Sequence, residues 1–314
     1  MDRDIKDFID QSIENLRTQI GDKKVVCGLS GGVDSAVAAA LVSKAVPGAL
    51  TCVYVDNGFM RLGETDEVEK LFRNQFEIPI VIANASDYFF SKLATVTDPE
   101  AKRKIIGEAF VRIFEQEAKK LGQVDGLVQG TIFPDIEESK KNSLIKSHHN
   151  VGGMPEQMSF SILVEPLRDL YKDEVRKVGL ALGIPEKLIY RQPFPGPGLA
   201  VRCLGEVTRE KLDLLRRADY IVRDEIDQAK LPIWQYFAVL TGLKTVGIKD
   251  GKRTYGHVIA LRAVQSKNSM SAEWFKIPHN VLDNISKRLV TEIEDVCRVV
   301  YDITDKPTAT IEWE

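Results

Sequence analysis

Short apolar runs alternate with amphipathic stretches through the first half of the chain. Apolar residues recur at helical spacing over residues 1–20, and the compact apolar run at 24–29 is typical of a buried parallel strand. The pattern continues with strands predicted at 49–55, 79–83 and 126–129, and with helices predicted after residue 35 and at 64–75, 101–121 and 169–182. This order predicts an α/β fold, namely a parallel sheet with helices on both faces.

The second half of the chain has a different pattern. Amphipathic helices are predicted at 208–229 and 279–296. Strands are predicted at 233–240, 243–248, 255–264, 298–303 and 309–313. The segment 191–198 contains three prolines and two glycines, which favours a boundary between a domain at 1–190 and an α+β domain at 191–314.

Composition narrows the functional classes. The 314 residues carry a net charge of −3, so a basic nucleic-acid-binding surface is not expected. There is no run of about 18 apolar residues, so no membrane span is expected. The N-terminus lacks the apolar core of a secretion signal, and the four cysteines form no CxxC pair. These features predict a cytoplasmic protein without zinc-ribbon or disulfide framework.

The strongest local signal is the sequence SGGVDS at residues 30–35, between a predicted strand and a predicted helix. Adjacent glycines allow a tight turn whose N–H groups, with the helix N-terminus, form an anion site. No Lys-Ser/Thr follows, so the loop is not a Walker A motif and suits a pyrophosphate leaving group better. Asp34 would then hold Mg²⁺ against the phosphates. The alternative is a plain turn with Asp34 as a helix-capping acid.

The motif resembles the signature of the N-type ATP pyrophosphatases, a resemblance that implies cleavage of ATP between its α and β phosphates. Other stretches resemble the GMP synthetase family in particular. They are found, in the family's order, at 55–58, 98–107, 129–135, 145–153, 165–168, 194–199, 298–303 and 306–314. The sequence departs from the family pattern at Gln192, Asn268 and Thr308.

The resemblance implies that ATP adenylylates xanthosine monophosphate (XMP) and that ammonia then displaces AMP to give GMP. Only about 23 residues precede the first predicted strand, so we expect a separate glutaminase subunit as the ammonia source. The C-terminal domain is expected to form a homodimer and to complete the XMP site. No nucleic-acid partner is expected.

Candidate site residues follow from the matched motifs. The expected ATP-binding residues are Ser30, Gly31, Gly32, Val33, Asp34, Ser35, Ala36, Val55, Gly130 and Thr131. The expected XMP-binding residues are Arg103, Gly196, Pro197, Gly198, Lys306, Ile311 and Glu312. Asp34, Lys172 and Arg103 are the expected catalytic residues, and Asp34 and Asp135 the expected magnesium ligands.

Several of these residues have simpler interpretations. Asp56, at the end of the second strand, is either near adenosine or part of a turn, and Lys172 is either a phosphate ligand or a solvated lysine. The run 102–104 is either a solvated helix face or the source of a lid arginine, Arg103. The prolines and glycines of 191–198 could form only an interdomain turn, and the tail at 309–313 only an edge strand.

The polar segment 133–161 is expected to be a functional lid or a disordered loop. For His148 and His149 within it we consider a lid role, an inert loop and a metal site. Glu138 is a candidate for the base that handles the ammonium proton. Two rival functions remain: another adenylylating enzyme, such as a tRNA-thiolating one, and a regulatory subunit that binds nucleotide without turnover.

Overall fold

A computed structural model describes residues 4–141, 160–266 and 270–314, with side chains described outside 138–141. The chain divides into two compact units. The first consists of Met1–Asn57, Gly63–Ala85 and Gly107–Arg191, and the second of Gly58–Leu62, Ser86–Ile106 and Gln192–Glu314. Two segments that the sequence analysis placed in the first domain therefore belong to the second unit.

The first unit is built on a five-stranded parallel sheet in the order β3-β2-β1-β4-β5. Its strands are β1 (Val25–Leu29), β2 (Leu50–Asp56), β3 (Ile80–Asn84), β4 (Gly126–Val128) and β5 (Ile162–Val164). The central strand β1 is apolar along its length and buried, as expected of a strand covered on both faces. The predicted α/β class is confirmed.

Helices connect these strands. They are α1 (Ile5–Ile20), α2 (Val33–Ala45), α3 (Glu64–Lys70) with a π-helical continuation at Leu71–Gln75, α4 (Ser86–Leu93), α5 (Pro99–Lys120), α6 (Phe133–Lys141), α7 (Lys172–Ala181) and α8 (Glu186–Ile189). Of these, α4 and the start of α5 lie in the second unit. Helix α2 buries nine of its residues, which explains why it is apolar on every face.

Three features of this half differ from the sequence prediction. Strand β5 was not predicted, because only three residues pair with β4 and they carry little periodic signal. The irregular loop expected from residue 133 begins instead with a helix, because Phe133–Lys141 form α6, and the lid role stays a prediction. Helix α4 was missed because its aromatic residues have only moderate helix propensity. His148, His149 and Asn268 lie outside the described residues, and so does the side chain of Glu138.

The second unit contains a four-stranded sheet. Its strands are β6 (Gln235–Lys249), β7 (Lys252–Gln265), β8 (Glu273–Trp274) and β9 (Val296–Asp302). Strand β7 pairs antiparallel with β6 and β8 and parallel with β9. Helices α9 (Arg209–Gln228) and α10 (His279–Glu292) complete it, together with a 3₁₀ turn at Gly198–Arg202.

The predictions for this unit need two corrections. The strands predicted at 233–240 and 243–248 are one strand, β6, whose pairing register shifts between Leu240 and Lys244. Gly242 has a φ of +75° inside this shift, so the glycine marks a bulge and not a strand end. The segment 309–313 is not a strand, because its main-chain oxygens accept hydrogen bonds from the Arg262 side chain instead of pairing with a strand.

No helix within the described residues is both long and apolar enough to cross a membrane. All four cysteines are free, and Cys27, Cys52 and Cys203 are fully buried. Cys27 and Cys52 are register partners on β1 and β2. The hydrogen bond with Cys27, followed by burial, raises the pKa of the Cys52 thiol, and burial raises that of Cys203 to about 11. Cys27 is therefore a buried packing residue.

We predict that Cys297, which is only partly buried, is the one thiol of the native protein that reacts readily with a disulfide reagent. The other three thiols are buried, so the reagent should reach them only after unfolding. Titration of native and guanidinium-unfolded protein measures this. The Cys297→Ser variant is the control and should show no fast-reacting thiol. A second fast-reacting thiol in the native protein would contradict the burial of Cys27, Cys52 and Cys203.

Candidate nucleotide site

The loop at 30–35 has the geometry of an anion site. Gly31 has a φ of +75°, a conformation that glycine adopts without strain. The Ser30 hydroxyl accepts the N–H of Gly32 at 3.2 Å, and the Ser35 hydroxyl donates to the Gly32 oxygen at 3.1 Å. Helix α2 then begins at Val33, and its N-cap Gly32 supplies no side-chain cap. The first N–H groups of α2 therefore remain available to a bound anion.

Asp34 and Lys172 form an ion pair beside this loop. The Lys172 ammonium lies 2.8 Å from Oδ1 and 2.6 Å from Oδ2 of Asp34. Lys172 opens α7, where the helix dipole disfavours positive charge, so the carboxylate offsets an electrostatic cost. The Lys172 and Asp34 side chains are 41% and 29% exposed, so a ligand has access to both. Lys172 therefore has a protein partner as well as solvent.

Gly130 packs directly against the loop. A Cβ atom built on Gly130 would lie 2.8 Å from the main-chain carbon of Asp34 and 2.8 Å from the nitrogen of Ser35. Only glycine fits this approach, so the end of β4 supports the start of α2. Thr131 follows as partly buried coil. Gly130 therefore lies against the phosphate loop, and the role of Thr131 in ATP binding stays a prediction.

Arg191 also holds the loop, and the sequence analysis missed it. Its Nη1 donates to the main-chain oxygen of Gly31 at 3.0 Å, and its Nη2 is paired with the carboxylate of Glu64. Glu64 is buried, so this ion pair is a firm anchor for the arginine. No local sequence pattern marks the pair, because Arg191 and Glu64 are 127 positions apart along the chain.

Two carboxylates expected near adenosine and the second metal ion, Asp56 and Asp135, form hydrogen bonds with residues nearby in the sequence. Val55 is buried within β2, and Asp56 accepts the hydroxyl of Thr65 at 3.0 Å. Asp135 is in the first turn of α6, where its Oδ2 accepts the N–H of Ile132 at 3.0 Å. The roles of Val55 in ATP binding and of Asp135 as a metal ligand stay predictions.

Within the described residues, no cluster of three or more His, Cys, Asp or Glu side chains is arranged for a metal ion. Magnesium at nucleotide sites keeps few protein ligands and takes most of its oxygens from phosphate and water. The single accessible carboxylate of Asp34, next to uncapped helix N–H groups, fits such an ion when a phosphate completes its coordination.

The second unit contains a group of buried cations around the segment 302–314, which we call the tail. Lys102 is fully buried and donates to the oxygen of Cys203 at 2.8 Å and to Oε2 of Glu314 at 2.5 Å. Arg103 donates to the main-chain oxygen of Glu314. The proposal of a solvated helix face at 102–104 was therefore wrong for Lys102, which is a tail anchor.

Glu312 lies on a second buried cation, Arg202. The Arg202 Nε and Nη2 donate to Oε2 and Oε1 of Glu312 at 2.9 and 2.7 Å. Gln235 adds a third donor, with Nε2 at 3.1 Å from Oε1. Sequence analysis identified Glu312 but neither Arg202 nor Gln235, because these partners are far away along the chain.

The remaining expected XMP residues have diverse settings. Ile311 is buried in the apolar core of this unit, and Lys306 exchanges two main-chain hydrogen bonds with Ala272. Gly198 has a φ of +65°, and a Cβ there would lie 2.4 Å from the main-chain oxygen of Phe59. The space on the Cβ side of Gly198 is thus filled by protein backbone, and the expected role of Gly198 in XMP binding stays a prediction. Gly196 is exposed and Pro197 is buried.

Comparisons with known proteins agree with this picture. Residues 2–93 match the NAD synthase family model, and residues 224–313 match that of the GMP synthase C terminal domain. A GMP synthase (glutamine-hydrolyzing) of Acetivibrio thermocellus is 59% identical over 98% of this chain and 61% of its own length. That of Clostridium botulinum strain Loch Maree is 58% identical over 100% of this chain and 62% of its own length.

Among solved structures, NMN synthetase from Francisella tularensis has a TM-score of 0.49 and 17% identity, over 68% of this chain and 85% of its own. The chain spans about 61% of the length of the curated relatives that it matches.

The chain combines an α/β unit that matches the NAD synthase family model with a region that matches the GMP synthase C terminal domain. The family resemblance seen in the sequence motifs is confirmed. The chain is a homologue of GMP synthase over nearly its whole length.

We predict that Gly130→Ala weakens ATP binding by about ten-fold or more, because overlap with the main chain at Asp34 and Ser35 must displace the loop. Isothermal titration with ATP and magnesium measures this. Gly122→Ala is the matched control: its φ of +84° also makes alanine strained, but nothing lies within 4 Å of its Cβ. Equal losses of ATP affinity in both variants would contradict a specific role for Gly130.

Proposed function

We propose that this chain catalyses the ATP-dependent amination of XMP to GMP, releasing AMP and pyrophosphate. The observation that carries the proposal is the phosphate loop, with its uncapped helix start and the Asp34–Lys172 pair, in a chain that carries a GMP synthase C-terminal domain. The relatives are named GMP synthase (glutamine-hydrolyzing), and this chain matches part of their length. Their activity is transferred to it here as a proposal.

The first step is attack of the XMP 2-oxygen on the α-phosphorus of ATP, with pyrophosphate as the leaving group. The N–H groups at the start of α2 and the hydroxyls of Ser30 and Ser35 would bind the departing phosphates. Lys172 would neutralise the negative charge that builds up on them. Its existing pairing with Asp34 keeps the ammonium beside the loop before ATP arrives.

Magnesium would be held by Asp34 together with phosphate oxygens, and would supply positive charge to the leaving group when bound. Asp34 can take this role because its carboxylate is accessible and its present partner is a flexible lysine side chain. Asp135 is retained as a second ligand candidate.

XMP binding is assigned to the second unit. Arg103 is partly exposed beside the tail, and Glu312 presents a carboxylate suited to purine N–H donors. Lys306 is proposed to bind the XMP phosphate, while Ile311 supports the tail through its apolar packing. Gly196 and Pro197 are proposed to border the nucleotide.

We propose that the ammonia comes from a glutaminase subunit. The names of the relatives include glutamine hydrolysis, and this chain matches about 61% of the length of the first of them. Four free cysteines favour a reducing compartment, so the cytoplasm is the proposed location. The thiolation alternative loses its main support, because Cys27 before the loop is buried and inert.

We predict that the chain with XMP, ATP, magnesium and ammonium forms GMP, AMP and pyrophosphate in equal amounts, measured by chromatography. Asp34→Asn should lower the rate by about 100-fold because it weakens magnesium binding, and Lys172→Met by a similar factor because it removes positive charge from the leaving-group site. Lys187→Met is the control, since Lys187 pairs with Glu67 on the exposed surface. Formation of ADP and orthophosphate would refute the proposal, and ATP binding without turnover would favour the regulatory alternative.

We also propose a homodimer formed through the second unit. The β6–β7 hairpin exposes Val246, Ile248 and Tyr255, and Ile248 is 76% accessible. Val246 and Tyr255 are cross-strand partners, and Ile248 is two residues from Val246, so the three lie on one face. An exposed apolar face of this kind is typical of a protein interface.

The double variant Val246→Asp/Ile248→Asp should convert a wild-type dimer into a monomer, because two desolvated carboxylates would oppose association. Analytical ultracentrifugation measures the mass. Met270→Asp is the control, as Met270 is equally exposed in the same unit but outside the hairpin. A wild-type monomer, or a dimer that survives the double substitution, would remove the hairpin from the interface.

A further inference from the structure

Arg202 is a charged side chain in a place where charge is costly. It is fully buried at the end of the 3₁₀ turn that follows the proline- and glycine-rich segment. An arginine in such a position needs compensating partners, since removing its charge from water costs several kcal/mol. Its principal partner is Glu312, which it meets with two parallel donors, the geometry that most strictly fixes a carboxylate.

The guanidinium plane is itself held in place. Its central carbon lies 3.8 Å from the ring centre of Phe237 and 5.3 Å from that of Phe194. In addition, Nη1 is 3.9 Å from Oδ1 of the buried Asp219. Aromatic faces and an opposite charge together restrict both the tilt and the position of the group. Arg202 is therefore a rigid base on which the Glu312 carboxylate sits.

The hydrogen bonds of Glu312 are unequally shared between its oxygens. Oε1 accepts one hydrogen bond from Arg202 and one from Gln235. These two bonds use both acceptor positions of Oε1. Among the described residues, Oε2 accepts from Arg202 alone, so one acceptor position remains there. The Glu312 side chain as a whole is 18% exposed, so a ligand can reach part of it.

We propose that Arg202, assisted by Gln235, is a positioning residue that directs Oε2 of Glu312 at one N–H donor of the purine ring. The inference rests on the proposed function, because it takes XMP as the ligand of the second unit. Arg202 does not touch the nucleotide in this scheme. It acts by holding the Glu312 carboxylate so that one acceptor position, on Oε2, remains for the purine.

A purely structural role is the competing explanation, and Arg262 shows what such a role looks like. Arg262 is also fully buried in this unit, but its guanidinium donates to main-chain oxygens of the tail, at Thr304 and Thr310. Its contact with a carboxylate, Oδ2 of Asp302, is longer at 3.4 Å, so Arg262 mainly holds the backbone of the tail. The distinction for Arg202 is therefore whether its effect on XMP passes through Glu312.

A double-mutant cycle on XMP affinity tests this directly. The dissociation constants of XMP and of ATP are measured by calorimetry for the wild type, Arg202→Gln, Glu312→Gln and the double variant. We expect Arg202→Gln to weaken XMP binding by about ten-fold in the wild type and by less than about two-fold in the Glu312→Gln background, with ATP affinity unchanged. Equal losses in both backgrounds, or a parallel loss of ATP affinity, would overturn the inference.

A second variant guards against a folding failure of Arg202→Gln. Gln235→Leu removes the neutral donor to Oε1, together with a longer contact of 3.3 Å to the main-chain oxygen of Pro193. It should weaken XMP binding by about three-fold, again only when Glu312 is present. Arg223→Gln is the matched control: Arg223 contacts Asp219 at 2.8 Å but is not among the partners of Glu312, so XMP affinity should be unchanged. An effect of Gln235→Leu that persists without Glu312 would also overturn the inference.

The readout separates this inference from the proposed function. A wild type that binds XMP with the expected coupling but makes no GMP would contradict the proposed function and sustain the role of Arg202. If the wild type forms GMP but Arg202→Gln weakens XMP binding equally with and without Glu312, the proposed function stands and the role of Arg202 is contradicted. A wild type that binds no XMP would overturn the inference together with the assignment of this unit.

Discussion

A helix N-terminus attracts phosphate only when the loop before it keeps the first N–H groups uncapped and pointing at one place. In the first unit this constraint falls on residues 30–35, and three neighbours enforce it. Gly130 lets β4 approach the backbone of Asp34, Arg191 holds the oxygen of Gly31, and Lys172 holds the Asp34 carboxylate. The parallel sheet matters to the chemistry because it delivers these elements to the same end of β1.

The second unit meets an analogous constraint by other means. Beyond the bridge between Lys306 and Ala272, residues 309–313 of its tail form no strand that could fix them in place. Three buried cations take over that task, with Lys102 on Glu314, Arg202 on Glu312 and Arg262 on the main chain. Buried ion pairs add little net stability, because desolvation offsets most of the attraction, but they define one geometry strictly. For a segment proposed to bind a nucleotide, a single geometry is the useful property.

Sequence reasoning succeeded where the signal is local. The apolar run at 25–29, the glycines of the loop and the helix after them lie within twenty residues, so strand, turn and helix could be predicted together. It failed where a feature depends on residues far apart. Lys102 looks like part of a surface charge run, and only its contact with Glu314 shows that it is buried. Arg191 and Arg202 carry no pattern at all, because their partners Glu64 and Glu312 are over one hundred positions away.

Long-range packing also explains why two candidate glycines are glycine for a reason other than contact with a nucleotide. Gly130 and Gly198 both proved to be positions where a side chain cannot fit, but the atoms that exclude it are protein backbone in each case. A glycine in a nucleotide-binding motif therefore need not face the nucleotide. It can instead permit the close packing that orients other groups, and in both units those other groups are charged side chains held by partners from distant parts of the chain. The chemistry proposed for this protein depends on that packing as much as on the residues that would touch ATP and XMP.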